Sequence, residues 1–231
     1  MTAQAMTGKT KPRLKKKSKF NWLFYLVQIG ALYPLVWFGW QFWQQDFAVI
    51  INPFQEATLR TGYAALVLLM LSLAATPLNT VFGWRRALTV KKTLGLWGFA
   101  YVTLHFLIFI VDNGLFDNTI KLAPILEATF EKRFALVGFA AFVLLLPLAI
   151  TSTKGWQKRL GKRWKQLHRL AYIAPGLGVL HYAMLVKSDL REPLMYGFAF
   201  AVLLIVRLPK VRKWINTNRP RFGQNKKKAA A

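Results

Sequence analysis

Residues 94–111 read LGLWGFAYVTLHFLIFIV, a run of eighteen residues without a charge that carries one histidine, His105. As a helix rising about 1.5 Å per residue it spans ~27 Å, close to the hydrocarbon thickness of a bilayer. An imidazole is costly to keep in such a segment without a partner, so it marks a functional position. Five more apolar runs flank this one: Phe20–Trp43, Thr61–Leu78, Phe134–Thr151, Leu167–Val186 and Pro193–Leu208. The run 167–186 holds His181 deep inside it and His168 at its basic edge, and there is no fourth histidine. The expected fold is all-α, a polytopic six-helix transmembrane bundle over residues 20–208. Basic tails at 1–19 and 209–231 flank it, and the polar stretch Arg219–Ala231 reads as disordered. The first run is too long for a signal-peptide core and reads as a retained span.

Charge gives the orientation. The chain carries 33 Lys+Arg against 8 Asp+Glu, a net charge of +25. In a soluble protein that balance would suggest nucleic acid. Here the basic residues sit between membrane-length apolar runs, which favours a bilayer partner and no nucleic acid. Basic clusters occupy the N-terminal tail, the second loop (Arg85, Arg86, Lys91, Lys92), the fourth loop (Lys154 to Lys165) and the C-terminal tail. Every acidic residue, from Asp46 to Glu192, falls in an odd-numbered loop. Six spans with both termini cytoplasmic satisfy the positive-inside rule. The absence of cysteine excludes thiolate metal sites, iron–sulfur clusters and a cysteine nucleophile.

An internal repeat is visible. Leu73-Ala74-Ala75-Thr76 ends the second run and Leu148-Ala149-Ile150-Thr151 the fourth. Each leads through a basic, Trp-containing stretch to a Leu-His pair, at offsets of 32 and 33 residues from the first Leu. The repeat places His105 and His181 in equivalent positions, both about 8–9 Å inside the outer boundary. Two imidazoles at matched depth on separate helices suit the two axial faces of one haem iron. Gly98 precedes His105 by seven residues, and Gly178 and Ala174 precede His181 by three and seven. Small residues there would admit a flat macrocycle, or would simply serve helix packing. His168 lies 13 residues before His181, about 20 Å nearer the cytoplasm, where it marks a second cofactor or an interfacial histidine. Its counterpart before His105 is Lys92, so a second haem would lack an obvious second histidine. Arg163, Arg169, Lys91 and Lys92 stand beside this inner position, available to haem propionates, a flavin phosphate, a quinone headgroup or lipid.

These residues resemble a known family. The run Leu94-Gly95-Leu96-Trp97 through Leu104-His105, the run Arg159-Leu160-Gly161-Lys162-Arg163-Trp164 through Leu167-His168-Arg169-Leu170, and Leu180-His181 are similar to MsrQ (formerly YedZ), of the ferric reductase-like transmembrane superfamily. The similarity extends over roughly residues 20–215. The resemblance implies b-type haem (one or two), a flavin mononucleotide requirement and a bacterial inner membrane. It implies electrons from the quinone pool or a cytosolic flavin reductase, passed to MsrP, a periplasmic molybdopterin subunit that reduces methionine sulfoxide in oxidised proteins. The family's haem-linked histidines map onto His105, His168 and His181. A histidine-based metal or proton transporter and a non-catalytic membrane anchor are the competing readings. No carboxylate falls inside a predicted span, which speaks against a transport path.

Overall fold

The computed structural model describes residues 21–44, 53–116, 119–186 and 189–218. The expected disordered stretch Arg219–Ala231 and the whole basic N-terminal tail 1–19 lie outside them. The elements are α1 (Trp22–Trp43), α2 (Pro53–Phe82), α3 (Arg85–Gly114), a hairpin of β1 (Leu115–Phe116) and β2 (Thr119–Ile120), α4 (Leu122–Glu131), α5 (Arg133–Ile150), α6 (Lys154–Leu160), α7 (Lys162–Leu167), α8 (Leu170–Leu185), α9 (Arg191–Ile205) and α10 (Pro209–Asn218). Helix is the expected outcome for such runs, because hydrocarbon offers no partner to a backbone N–H or C=O.

Among the described residues four helices are long and apolar enough to cross a membrane: α1, α2, α3 and α5. A fifth candidate is α9 taken with α10, a pair bent by 74° at its break. The protein is therefore a multi-pass, all-α membrane protein. The α8 helix has 16 residues, short for a span on its own.

Two boundaries differ from the hydropathy reading, for one reason. Helices α2 and α3 are each 30 residues long, reaching well past the apolar runs that identified them. The second basic loop shrinks to Gly83-Trp84, with Gly83 in the left-handed region at φ 70°, so Arg85, Arg86, Lys91 and Lys92 ride on the first turns of α3. Charge marks where the chain leaves hydrocarbon, not where its hydrogen-bonded helix stops. The fourth loop is likewise helical, as α6 and α7. His168 caps the end of α7 two residues before α8 begins. The distance of about 20 Å between His168 and His181, counted as rise along one straight helix, therefore does not apply. The expected C-terminal tail begins with α10.

The bundle is built from two helical hairpins. Helix α3 packs along α2, with Gly98 buried where an added Cβ would stand 2.8 Å from Leu69 side-chain atoms. Helix α5 packs on α8, where Leu145, Leu148 and Ala174 form a buried cluster. Helix α1 lies outside the first hairpin and is tied to α3 by two side-chain bonds. Trp97 Nε1 donates to Gln28 Oε1 (2.5 Å), and the Tyr101 hydroxyl donates to the Ala31 carbonyl (2.5 Å). Tyr101 is 2% exposed, so its hydroxyl has no water to fall back on. Tyr101→Phe is expected to destabilise the fold by about 1 kcal/mol, read as a lower thermal midpoint in detergent. An unchanged midpoint would mean that the Tyr101–Ala31 bond does not help to hold α1.

Helix α4 was not anticipated. It turns Ile125, Ala128 and Thr129 inward and leaves Leu122, Leu126 and Phe130 exposed. Its ten residues are too few to register as a span, and Glu127 and Glu131 among them made the stretch read as loop.

Candidate cofactor site

His105 on α3 and His181 on α8 meet in the interior, their ring centres 6.0 Å apart and their planes perpendicular. Each ring is held by its Nδ1. His105 Nδ1 bonds the Thr58 carbonyl on α2 at 2.9 Å, and His181 Nδ1 bonds the Phe134 carbonyl on α5 at 2.6 Å. A carbonyl only accepts, so Nδ1 carries the proton in both rings. That leaves the Nε2 lone pair for a metal, the usual arrangement behind a histidine ligand.

Two glycines make these bonds possible. In a helix the carbonyl of residue i is covered by the side chain at i+4. Here those positions are Gly62, four after Thr58, and Gly138, four after Phe134. A Cβ on Gly62 would stand 3.1 Å from His105 Nδ1, and one on Gly138 only 2.8 Å from His181 Nδ1. The bare backbone lets each imidazole lie against the neighbouring helix and reach a carbonyl already engaged in the helix.

The site is internally symmetric. Moving Thr58, Gly62 and His105 along the chain by 76 residues gives Phe134, Gly138 and His181. Both histidine–carbonyl bonds span 47 residues. This register corrects the helix-end match: Leu73 corresponds to Ala149 rather than Leu148, and the offsets of 32 and 33 become equal.

The histidines open on a cavity of about 180 Å³, lined mainly by Gly62, Gly138, Ala141, Ala174, Gly178 and a set of aromatic rings. Among the described residues no charged side chain lines it. Metal–imidazole bonds are near 2 Å, so two rings clamping one ion from opposite sides put their centres roughly 6 Å apart. The observed spacing fits. Among the described residues no group of three or more His, Asp or Glu is placed to hold a metal. Two imidazoles facing an apolar cavity suit a metal whose other ligands come with a flat macrocycle.

Comparison with known proteins gives the family. Residues 61–179 match the family described as ferric reductase like transmembrane component. A Rhodospirillum rubrum protein named protein-methionine-sulfoxide reductase heme-binding subunit MsrQ is 44% identical over 189 residues, 81% of this chain and 88% of that one. Proteins of the same name from Xanthomonas axonopodis pv. citri and Caulobacter vibrioides are 42% and 35% identical, over 78% and 90% of this chain and 82% and 99% of theirs. The chain belongs to the MsrQ family. The matched segment takes in Gly62, His105, Gly138 and His168, and stops two residues short of His181.

The other residues singled out from the MsrQ-like sequence fall in different places. Gly178 lines the cavity, whereas Gly98 packs against Leu69 and does not. Lys91, Lys92, His168 and Arg169 line a second cavity, of about 420 Å³, toward the basic end of the bundle. Arg163 is exposed and outside its lining. His168 stacks on Trp164, ring centres 4.0 Å apart. Its Nε2 lies 3.1 Å from Thr151 Oγ1, whose proton goes to the Pro147 carbonyl. Nε2 is therefore the donor, and Nδ1 is the nitrogen left over. Sequence reasoning missed Gly62, Gly138 and Arg207. Arg207 follows α9, donates to the Tyr172 hydroxyl (3.0 Å) and to the Leu73 carbonyl, and holds the end of α9 against α2. An arginine inside the run 193–208 was its only signal.

Proposed function

We propose that the chain is a transmembrane b-type cytochrome. It draws electrons from the quinone pool or a cytosolic flavin reductase and hands them to a periplasmic molybdopterin subunit, MsrP, which repairs methionine sulfoxide in oxidised proteins. The relatives carry the name of a heme-binding subunit of that reductase system. One observation supports the haem reading most strongly: His105 and His181, on separate helices, stand 6.0 Å apart with Nδ1 tied to carbonyls and Nε2 left over. Haem held by His105 and His181 would supply a one-electron carrier, which suits electron transfer rather than substrate activation. His105 and His181 bind and orient it, Gly62 and Gly138 admit the rings, and the phenylalanines exclude water. The chemistry on the sulfoxide belongs to the partner subunit.

In this reading α8 and α9 are the fifth and sixth spans. Both termini face the cytoplasm of a bacterial inner membrane, by the positive-inside distribution. The inner cavity receives an anionic group, since Lys91, Lys92, Lys165 and Arg169 line it without a carboxylate. FMN phosphate, the propionates of a second haem on His168 and a quinone headgroup share that requirement. The deciding experiment measures haem and FMN per chain on purified protein, with a reduced-minus-oxidised spectrum. A b-type low-spin spectrum is expected, and a colourless preparation from haem-replete cells would overturn the proposal. His168→Ala is expected to keep the outer signal while slowing reduction from the cytoplasmic side. Loss of all haem in a folded His168→Ala protein would contradict two separate sites.

A further inference from the structure

The 76-residue shift that relates the two histidines also relates Tyr63 to Phe139 and Phe106 to Tyr182. These four rings form two contacts at equivalent places on opposite edges of the clamp. Tyr63 of α2 meets Tyr182 of α8, ring centres 5.3 Å apart, and Phe106 of α3 meets Phe139 of α5 at 5.7 Å. All four line the cavity. The backbone clamp is thus nearly two-fold, but its edges differ chemically.

The tyrosine edge is polar. The Tyr63 and Tyr182 hydroxyls bond one another, and Tyr182 donates to Glu192 Oε2 at 2.6 Å. Because Tyr182 spends its proton on Glu192, the hydroxyl–hydroxyl bond carries the proton of Tyr63. The opposite edge is hydrocarbon, with Phe106 stacked on Phe142 at 4.8 Å and on Phe109 at 6.5 Å. Of the other cavity hydroxyls, Thr129 donates to its own helix at the Ile125 carbonyl (2.7 Å), and Thr58 lies on the tyrosine helix α2.

Haem is itself asymmetric, with two carboxylates on one edge and hydrocarbon on the others. Placing a carboxylate against the phenylalanines leaves a charge in an apolar site without a donor. We propose, building on the haem reading above, that the tyrosine pair fixes the orientation of the macrocycle. Its carboxylate edge faces Tyr63 and Tyr182, and its hydrocarbon edge faces Phe106, Phe139 and Phe142. Tyr63 is the direct donor, its proton being the one that an arriving carboxylate can capture. Tyr182 is a positioning residue, held by Glu192. The Glu192 bond is the precedent on this edge for a carboxylate accepting from a tyrosine.

The test compares uptake of haem and of haem dimethyl ester, in which both carboxylates are masked, by protein produced without haem. The wild type is expected to prefer haem on the order of tenfold, as a hydrogen bond to a charged group implies. Tyr63→Phe removes one oxygen and keeps the ring; it should shrink that preference severalfold and shift the propionate band in resonance Raman spectra. Gly30→Ala, on α1 and outside the cavity lining, should leave the preference as it was. A Tyr63→Phe/Tyr182→Phe protein with a low-spin spectrum and the full wild-type preference overturns the proposal. So does a preference lost in Gly30→Ala and kept in Tyr63→Phe. A wild type that binds neither porphyrin in a low-spin form overturns the haem reading, and the orientation with it.

Discussion

Replacing His105 or His181 by glycine is expected to abolish the low-spin haem spectrum and to cut retained haem by well over tenfold. In the proposed haem site each residue supplies one of two ligands, and the ring centres stand 6.0 Å apart. No third histidine stands near enough to substitute, since His168 is engaged with Thr151 and Trp164. Loss of a hydrogen-bond partner behind a metal ligand typically costs 10–100-fold in affinity, and loss of the ligand itself should cost at least that. Added imidazole separates ligation from folding. It fits the space left by the missing side chain, so the low-spin spectrum should return in both glycine variants. A normal spectrum in either variant without imidazole would end the pairing of these two residues.

Gly138→Ala is expected to be nearly as damaging, although it adds a single carbon to a residue that touches no metal. The new Cβ would lie 2.8 Å from His181 Nδ1, 2.9 Å from Cε1 and 3.3 Å from Cγ. The ring must move off the Phe134 carbonyl, losing a 2.6 Å bond that fixes both its tautomer and its direction. Haem affinity should fall 10–100-fold, with high-spin character from a strained or missing sixth ligand. Gly62→Ala should act in the same direction with a smaller effect, because its closest approach is 3.1 Å, to His105 Nδ1. Gly30 and Gly39 of α1 have no atom within 4 Å of an added Cβ, so alanine there is the matched control. Equal haem binding in Gly138→Ala and Gly30→Ala would refute the carbonyl-anchored geometry.

The two histidines could be recognised without coordinates, because burying an imidazole in an apolar run is costly wherever the run lies in space. The glycines behind them could not be chosen by the same reasoning. Gly62 and Gly138 act on other helices, through carbonyls 47 residues upstream of each histidine. Among fifteen glycines, local sequence gives no reason to prefer those two. Gly98 looked equally suitable by helical phase, and it faces Leu69 instead. One signal was within reach: laying the chain on itself at a shift of 76 residues superposes both glycines and both histidines. Matching the helix ends instead slipped the register by one residue.

The apolar segments, their alternating charge and the placing of His105 and His181 within two of them follow from the order of residues alone. Transfer into hydrocarbon is a sum over side chains and needs no knowledge of neighbours. Which helices touch, which glycine lies under which ring, and which edge of the clamp is polar were decided only by the packed bundle. Apolar helix faces are nearly equivalent to lipid, so their pairing depends on close shape and a few hydrogen bonds. Those quantities exist only between segments, once the helices stand side by side.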